Sequence, residues 1–504
     1  MTIMMRPTEE ESFTGAAGKA AIMQNNTKSF TEPPVLHYSA DTNLLEQSAY
    51  RYELQERETP NLYRHLFDYD SIPKVAFNHR NVPMAMPEEI WITDTTFRDG
   101  QQSTSPFTVE QIRHLYSLLH KLGGPKGIIR QSEFFVYTDK DREALMACRE
   151  LGYEFPEITS WIRASEKDFA LVKELEIPET GILVSCSDYH IYSKMGLTRA
   201  QAMDKYLGVV KTVLDYGIRP RCHFEDITRA DFYGFVVPFA TALSELSRES
   251  GVPIKIRACD TMGYGVSYPG TALPRSVQGI IYGLTHYAGV PAAQLEWHGH
   301  NDFYKVVTNA ATAWLYGASG VNCSMLGIGE RTGNCPLEAM AIEYASLRGT
   351  EDGMDLSVIT EIAEYFEEEI GYEIPPRTPF VGRNFNVTRA GVHADGLLKN
   401  EEIYNIFNTA KILNRPASVA VDSHSGLAGV AFWINSFFRL RGDETVDKHA
   451  PIVAAVKEAV DAEYAAGRNT VMGDEELENI LMNCDYDEYN RLSHIHLHHH
   501  NSNA

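Results

Sequence analysis

The stretch Ile90–Gly123, IWITDTTFRDGQQSTSPFTVEQIRHLYSLLHKLG, contains the structural unit that decides the fold. It begins with a β-rich run, passes through a polar loop and continues into an amphipathic helical stretch. The residues that share one face of this helix are Val109, Ile112, Leu115, Leu118 and Leu119. A strand followed by such a helix is the repeating unit of parallel α/β proteins. The stretch therefore predicts one strand–helix unit of that class.

The same unit recurs along the chain. Seven further β-rich runs, each followed by a helical stretch, begin at residues 128, 157, 181, 218, 253, 294 and 320. Eight such units over roughly 260 residues match the size of a (β/α)8 barrel. The alternative is a doubly wound open sheet, but no G-x-G-x-x-G sequence follows the first strand. We therefore predict an α/β fold in which residues 89–350 form a catalytic TIM barrel.

The segments outside the barrel have a different character. Residues 1–88 contain scattered prolines and aromatic islands, which predicts an irregular N-terminal extension with a partly disordered start. We expect this extension to wrap the barrel or a partner subunit. Residues 351–440 are predicted to form a mainly helical lid and dimerisation region. Residues 441–504 are predicted to be a helical segment with a disordered tail, because SHIHLHHHNSNA is polar and histidine-rich.

Composition and charge exclude some classes of partner. The 504 residues include 45 Lys and Arg and 68 Asp and Glu, which gives a formal net charge of −23. Nucleic acids and anionic membrane surfaces both attract positive charge, so neither is expected to bind this chain. No stretch reaches the roughly 18 apolar residues that a membrane span requires.

The cysteines and the N-terminus predict a cytoplasmic location. The seven cysteines are scattered and form no C-x-x-C pair. An odd, dispersed set in a long chain is typical of reduced thiols in a cytosolic protein. The sequence MTIMMRPTEEESFTG lacks the apolar core of a signal peptide.

Polar side chains cluster where the predicted strands end, which is where TIM barrels carry their active sites. Four groupings lie there: DTTFRDGQQ (94–102), RCHFED (221–226), WHGHND (297–302) and GIGERTGN (327–334). His298 and His300 are two apart on a strand, so both are expected to face the barrel mouth. Two imidazoles with a carboxylate form a common divalent-metal site. Taken alone, the other three groupings fit ordinary polar loops, core ion pairs or tight turns equally well.

In this order, DTTFRDGQQ, HGHND and GIGERTGN resemble the three signature motifs of the DRE-TIM metallolyase superfamily. The chain looks like the Claisen-condensing branch, which includes the 2-isopropylmalate, homocitrate, citramalate and Re-type citrate synthases. The resemblance covers about residues 88–440. It implies one divalent ion (Mn²⁺, Co²⁺, Zn²⁺ or Mg²⁺) and an acyltransferase that condenses acetyl-CoA with a 2-oxo acid. Hydrolysis of the thioester would then release free CoA.

The resemblance also implies roles for individual residues at the metal. Asp99, His298 and His300 would be ligands, and Asn334 would be a fourth, more variable ligand or a neighbour of the ligands. Arg98 would stabilise the enolate or the developing alkoxide.

Four further barrel residues match positions with roles in the family. Arg221 and Thr261 would bind carboxylates of the 2-oxo acid, and Glu133 would be another substrate-binding residue. Glu225 matches an acidic residue close behind Arg221 and would be catalytic.

Outside the barrel, RAGVHADGLLKNEEIY (389–404) is similar to the family's lid segment, which reaches into the partner subunit's active site. His393 and Tyr404 match the histidine and tyrosine that lie over acetyl-CoA there. The resemblance therefore implies a homodimer with exchanged lids. His393 would be the catalytic base or its relay, and Tyr404 would orient it or act as an acid.

The identity of the 2-oxo acid has to be argued from features outside the three motifs. Homocitrate synthases have a histidine at the position of Ser165, and isopropylmalate synthases commonly carry a C-terminal leucine-sensing domain that the remaining residues cannot easily hold. The lid sequence and the long N-terminal extension look most like Re-type citrate synthases, whose substrate is oxaloacetate. Homocitrate synthase and 2-isopropylmalate synthase are the alternatives within the branch. A hydroxyacyl-CoA lyase of the same superfamily is the alternative from another class.

Overall fold

Eight parallel strands close into a barrel in the computed structural model, which describes residues 35–163, 165–389, 391–440 and 442–501. The strands are β1 Trp91–Asp94, β2 Ile129–Phe134, β3 Glu157–Ile162, β4 Glu179–Ser185, β5 Arg219–Glu225, β6 Lys255–Asp260, β7 Leu295–Gly299 and β8 Gly320–Cys323. Each strand pairs with the next, and β8 closes the ring against β1. The predicted TIM barrel and all eight of its strands are confirmed.

One helix of the outer layer follows each strand. These helices are α1 Val109–Gly123, α2 Asp139–Arg149, α3 Glu166–Glu174, α4 Arg199–Asp215, α5 Val237–Ser250, α6 Val277–His286, α7 Val306–Tyr316 and α8 Leu337–Arg348. In α1, the Thr108 side chain accepts from the backbone of Gln111, whose own side chain accepts from the backbone of Thr108. This capping box satisfies two backbone donors and fixes where the helix begins. Its apolar face, including Ile112 and Leu115, is buried against the strands as predicted.

The interior of the barrel is charged, whereas most TIM barrels fill it with branched apolar side chains. Arg221 contacts Glu133 and lies 2.7 Å from Glu179. Arg257 lies 3.2 Å from Glu133 and 2.9 Å from Glu296. Each of these five side chains is buried. Opposite charges are thus paired across the barrel, and removal of one partner would leave a buried charge uncompensated at a cost of about 3–5 kcal/mol.

The apolar core lies between the strands and the helices. Phe224 of β5 stacks on Phe239 of α5 with ring centroids 5.1 Å apart. Trp297 of β7 and Trp314 of α7 are both fully buried. Outward-facing strand residues and inward-facing helix residues therefore supply the hydrophobic stabilisation that the charged interior does not.

The described part of the N-terminal extension is fastened to the barrel of its own chain. The backbone N–H of Gln55 donates to Gly234 O at 2.9 Å, and Asn78 N–H donates to Gly270 O at 3.0 Å. Most of it is irregular, as predicted, but Leu36–Ser39 and Leu44–Gln47 pair as a short antiparallel hairpin. The predicted disordered start lies outside the described residues.

Seven α-helices follow the barrel in the described part of the chain. They are α9 Val358–Tyr365, α10 Gly391–Lys399, α11 Thr409–Leu413, α12 Leu427–Phe437, α13 Pro451–Ala465, α14 Asp474–Cys484 and α15 Tyr486–Asn501. Helices α12, α13, α14 and α15 pack together around a second apolar cluster, in which Val430, Val453 and Leu481 are fully buried. The C-terminal region is therefore mainly helical, as predicted. The division of the chain at residues 88, 350 and 440 remains a prediction.

The histidine-rich tail is described as far as residue 501, and its predicted disorder remains a prediction. Helix α15 runs through this stretch. Leu492 is buried in the second apolar cluster and Ile495 packs against it. These residues are three apart, so they lie on one face of the helix and anchor it. Residues 502–504 lie outside the described part of the chain.

All seven cysteines are free thiols, six of them buried, with Cys484 exposed. Of the described helices, none combines the length and the apolar character needed to cross a bilayer. The cytoplasmic location remains a prediction.

Candidate metal centre and active site

Three side chains meet at the mouth of the barrel. Asp99 lies in the loop after β1, His298 is in β7, and His300 follows that strand directly. One potential ligand atom from each lies within 4.8 Å of the others. The two imidazole Nε2 atoms are 3.1 Å apart, and Asp99 Oδ2 is 3.8 Å from His298 Nε2. The structure thus brings together the three residues predicted as metal ligands.

Both imidazoles of this cluster are neutral at neutral pH. Burial, followed by the neighbouring His300, lowers the pKa of His298 well below its ordinary value. Burial, followed by the charge of Arg331, lowers the pKa of His300 to about 4. A neutral imidazole retains the lone pair that a metal ion requires.

Buried polar atoms that lack hydrogen-bond partners lie around the cluster, and they indicate whether a cation would fit there. Asp99 Oδ2 and both side-chain polar atoms of Asn334 are buried without a hydrogen-bond partner among the described residues. The backbone of Asn334 is bridged to that of His300. Buried polar atoms in native proteins nearly always have partners. The nitrogen and oxygen donors present suit a divalent ion, so these residues fit the metal that the motifs predict.

The glycines of the loop GIGERTGN make room for Asn334. A Cβ atom at Gly329 would lie 2.6 Å from Asn334 Oδ1. Gly333 has φ +92°, and a Cβ atom there would lie 2.2 Å from Gly327 O. Only glycine is compatible with both close approaches. The loop composition therefore serves to bring the Asn334 amide to the cluster.

A chain of hydrogen bonds sets the tautomer of His298. Asn322 Nδ2 donates to Thr93 Oγ1 at 3.0 Å, and the Thr93 hydroxyl donates to the Glu296 carboxylate. The remaining amide atom, Asn322 Oδ1, lies 2.8 Å from His298 Nδ1. An amide oxygen only accepts, so the proton is on Nδ1 and the lone pair is on Nε2. This is the tautomer that coordinates a metal through Nε2.

His300 has the opposite tautomer. Arg331 Nη2 lies 2.5 Å from His300 Nδ1 and 3.0 Å from Asp302 Oδ2. A guanidinium only donates, so Nδ1 accepts and the proton is on Nε2, which faces His298. Coordination of a cation through His300 Nε2 therefore requires Arg331 to release Nδ1.

Arg98 lies between the ligand cluster and the charged interior. Its guanidinium contacts Asp99 Oδ1, and its Nε is 3.6 Å from Glu133 Oε1. The same guanidinium lies 4.8 Å from the Trp161 ring centroid, within cation–π range. Arg98 Nε is buried and makes no hydrogen bond with the described residues. A largely buried cation beside the cluster, with its side chain 12% exposed, is suited to meet negative charge that develops on a substrate.

Arg221 and Glu133 lie deeper, in the interior network. Burial would raise the pKa of Glu133, but the charges of Arg257, Arg221 and Arg98 more than offset this and lower it to about 2. Glu133 is therefore ionised. Arg221 is fully buried and already neutralised by two carboxylates. Its predicted role as a substrate clamp remains a prediction.

Glu225 and Thr261 lie at neighbouring strand ends. Glu225 accepts from the Ser185 hydroxyl and lies 3.1 Å from Nδ1 of His190. Burial opposes its ionisation, but His190 and then Ser185 outweigh burial, so the pKa of Glu225 is lowered. Thr261 Oγ1 accepts from the backbone N–H of Asp226 at 2.8 Å.

The lid residues His393 and Tyr404 contact each other, with ring centroids 4.4 Å apart. His393 Nδ1 is 3.3 Å from Thr388 Oγ1, and Tyr404 is 48% exposed. Among the described residues, no hydrogen bond, ion pair or ring contact connects either side chain to the ligand cluster. The structure thus brings the two lid residues together, and none of their contacts within the described part of the chain reaches the barrel site.

Four residues at the site were not marked by the sequence patterns: His190, Arg257, Asn322 and Arg331. Asn322 could have been found, because it pairs in register with His298 across β7 and β8. Arg331 stands inside the quoted loop GIGERTGN. Arg257 is likewise in register with Glu296 on the next strand, although its contact with Glu133 crosses the barrel. His190 carries no spacing signal, since its partners come from another strand–loop unit.

Known proteins place this geometry in a family. The HMGL-like family model matches residues 89–366. A "Citrate (Re)-synthase" of Clostridium kluyveri is 58% identical over 437 residues, which cover 87% of this chain and 96% of the relative. Its counterpart in Syntrophus aciditrophicus is 57% identical, covering 85% of this chain and 68% of the relative. A 2-phosphinomethylmalate synthase of Streptomyces hygroscopicus is 37% identical, covering 85% and 97%.

The matched range of the family model contains all eight strands and the candidate ligands Asp99, His298, His300 and Asn334. The identity to the first two relatives extends well beyond the barrel in length. The membership that the three motifs predicted is confirmed. The chain belongs to the HMGL-like family, on the branch of the Re-type citrate synthases.

Proposed function

We propose that this protein is a Re-type citrate synthase, which condenses acetyl-CoA with oxaloacetate and releases citrate and free CoA. The observation that carries this proposal is the 58% identity to a Citrate (Re)-synthase over 87% of the chain. The cluster of Asp99, His298 and His300 supports it, since these residues fit a divalent ion at the barrel mouth. The enzyme is an acyltransferase in which the acyl group becomes an alkyl group on transfer.

Asp99, His298 and His300 would hold one divalent ion, with Asn334 beside it as a fourth ligand or a neighbouring group. When bound, such an ion acts as a Lewis acid towards the ketone of the substrate. Mn²⁺, Co²⁺, Zn²⁺ and Mg²⁺ all remain candidates, because mixed nitrogen and oxygen donors suit each to a different degree.

Arg98 would face the negative charge that develops on the enolate or alkoxide oxygen. Because Arg98 is largely shielded from water, its charge would stabilise that oxygen strongly. Arg221, Thr261 and Glu133 are proposed to bind the oxo acid. The planar guanidinium of Arg221 suits bidentate binding of a carboxylate. Because Glu133 and Glu179 contact it in the structure, a substrate carboxylate must compete with them for this role.

We assign His393 to the removal of a proton from the acetyl-CoA methyl group, with Tyr404 to orient it or to act as an acid. Histidine titrates near neutral pH, which suits a base. The 4.4 Å contact between the two rings and the exposure of Tyr404 support a role against another surface. The proposal is a homodimer in which the lid of one subunit completes the barrel site of the other.

Glu225 would serve the hydrolysis that follows condensation. A water oxygen attacks the thioester carbonyl carbon while the Glu225 carboxylate takes its proton. The carbon–sulfur bond breaks, the proton taken up by Glu225 passes to the leaving thiolate to give free CoA, and the new carboxyl group completes citrate. Loss of the thioester makes the condensation effectively irreversible.

The test is citrate formation by the metal-loaded protein from acetyl-CoA and oxaloacetate, with CoA release followed in parallel. We expect one citrate per CoA. His298→Ala should lose both bound metal and turnover, whereas His120→Ala on α1 should keep both. If His298→Ala kept its full metal content and rate, the metal assignment would fail.

A further inference from the structure

We infer that His190 positions the carboxylate of Glu225 for thioester hydrolysis, and that the N-terminal extension holds His190 in place. This inference rests on the proposed function and deepens it. His190 lies in the turn Tyr189–Lys194 that follows β4, and none of the family motifs contains it.

Two groups lie at one oxygen of Glu225: the Ser185 hydroxyl makes a hydrogen bond to it, and His190 is within ion-pair distance without hydrogen-bond geometry. His190 Nδ1 lies 3.1 Å from this atom, Oε2. On the other oxygen, Lys194 Nζ is 4.0 Å from Oε1, beyond hydrogen-bond distance. Among the described residues no donor occupies Oε1. One carboxylate oxygen is therefore fixed while the other is available to accept a proton from water.

The imidazole of His190 lies between two carboxylates, within ion-pair distance of both. Its Nε2 lies 3.7 Å from Asp226 Oδ2. Asp226 is in turn fixed by the Ser187 hydroxyl at 2.5 Å and by Arg229 at 2.9 Å. The charged groups that face the His190–Glu225 pair are therefore Asp226, Arg229 and Lys194. The side chains of His190 and Glu225 are 18% and 17% exposed, so the pair is shielded but open to water.

Residues 55–62 of the extension, here called the strap, bind the turn that carries His190. Two hydrogen bonds come from the turn itself: Tyr189 Oη donates to Leu62 O at 2.8 Å and Tyr192 Oη donates to Arg57 O at 2.9 Å. Two more come from its flanks: Asn61 N–H donates to Asp188 Oδ2 at 2.6 Å, and Arg199 Nη1 of α4 donates to Gln55 O at 2.9 Å. Three of these bonds come from residues 188, 189 and 192, on both sides of His190. The strap therefore fixes the backbone from which the imidazole reaches Glu225.

The groups around Glu225 predict the direction in which its pKa should change when His190 is removed. Burial raises the pKa of Glu225, and His190 is the foremost of the groups that lower it. Loss of His190 should therefore raise the pKa of Glu225. The acid limb of the hydrolysis rate would then move to higher pH, because a protonated carboxyl cannot take a proton from water. A side chain that only filled space would leave this limb in place.

The test compares the full-length, metal-loaded wild type with His190→Ala and His190→Asn by acid-quenched single turnover. Asn keeps a polar N–H group near the position of Nδ1, which lies 3.1 Å from Glu225 Oε2. We expect His190→Ala to slow CoA release about tenfold to a hundredfold, to leave the KM for oxaloacetate nearly unchanged, and to accumulate the condensed CoA thioester. His190→Asn should recover most of the rate. His120→Ala, which loses an Nδ1 contact to Phe155 O, is the matched control.

A double variant, Tyr189→Phe with Tyr192→Phe, tests the strap. We expect the same changes as in His190→Ala, but smaller. A wild-type rate of CoA release in this variant would overturn the role of the strap.

A second readout needs no substrate and separates this inference from the proposed function. Proteins labelled with ¹³C at glutamate carboxyl carbons are titrated by NMR, with the Glu225 signal assigned by Glu225→Gln. We expect its midpoint to lie higher in His190→Ala than in wild type. An unchanged midpoint together with unchanged CoA release would overturn the inference. Equal slowing of condensation and hydrolysis, without recovery in His190→Asn, would also overturn it.

Discussion

His298 Nδ1 lies 2.8 Å from the side-chain oxygen of Asn322 on the adjacent strand. Asn322 donates in turn to Thr93, and Thr93 donates to Glu296, so the chain of hydrogen bonds ends at a carboxylate. A carboxylate can only accept, so each hydrogen bond in the chain has one direction. The buried charge of the barrel interior thus determines which nitrogen of His298 is free to bind a metal.

Replacement of Asn322 should therefore weaken metal binding without unfolding the barrel. We expect Asn322→Ala to lower the affinity for the divalent ion by about 10–100-fold, as is usual for partners of ligating histidines. Competition with a chromogenic chelator measures it. Asn309→Ala is the control, since it removes another buried amide that bonds Gly265 O. Equal affinities in the two variants would contradict the proposed tautomer control.

Replacement of Arg331 should instead raise the affinity for the metal. Its guanidinium donates to His300 Nδ1 and adds a positive charge beside the cluster. Arg331→Met removes both the competing donor and the repulsion, so metal binding should tighten severalfold, and more at low salt than at high salt. The same chelator competition at two ionic strengths checks this. Weaker binding in Arg331→Met would show that Arg331 supports the site rather than opposing it.

Glu338 makes stability depend on pH. It is buried near the start of α8 and accepts from Leu326 N–H at 3.0 Å. Burial raises its pKa from 4.5 to about 7. The folded protein thus holds this proton more tightly than the unfolded chain. The resulting stabilisation is complete below pH 4.5 and is lost as the pH rises to about 7.

Glu338→Gln stays neutral throughout this range. Its free energy of unfolding, relative to wild type, should therefore increase by about 3 kcal/mol between pH 4.5 and pH 8. Urea unfolding at several pH values measures the difference, with Glu343→Gln on the same helix as control. A difference that stays constant over this range would exclude a protonated Glu338.

The fold and the ligand cluster could be predicted because their signals are local. Each strand is a short β-rich run that ends in polar residues, and the two-residue spacing of His298 and His300 places both on one side of a strand. The charged interior could not be predicted in this way. Arg221 and Glu133 lie on strands that are not neighbours, and their contact across the interior depends on closure of the barrel.

The end of the chain shows how tertiary packing can support a helix that composition does not indicate. Its histidines suggest a disordered end by composition, but Leu492 and Ile495 pack into the second apolar cluster and keep the segment helical. His190 was missed because its partners, Glu225 and Asp226, come from the following strand.

Exchange of lids between subunits can be tested by complementation. Asp99→Asn inactivates the barrel site and His393→Ala inactivates the lid. If lids cross, each mixed dimer has one intact site, so subunit exchange in an equal mixture should restore about a quarter of wild-type activity. Asp99→Asn mixed with His298→Ala should restore nothing, because both changes lie in the barrel. Failure of the first mixture to recover activity would mean that each lid serves its own barrel.

The proposed function itself is tested most directly by CoA release from acetyl-CoA with oxaloacetate, 2-oxoglutarate, 2-oxoisovalerate and pyruvate, each at several concentrations with the metal-loaded protein. We predict the highest kcat/KM for oxaloacetate, with citrate as the product, and loss of activity on chelation. Preference for another oxo acid would assign the protein to a different synthase of the branch. Cleavage of a 3-hydroxyacyl-CoA, without CoA release from any oxo acid, would contradict the synthase function altogether.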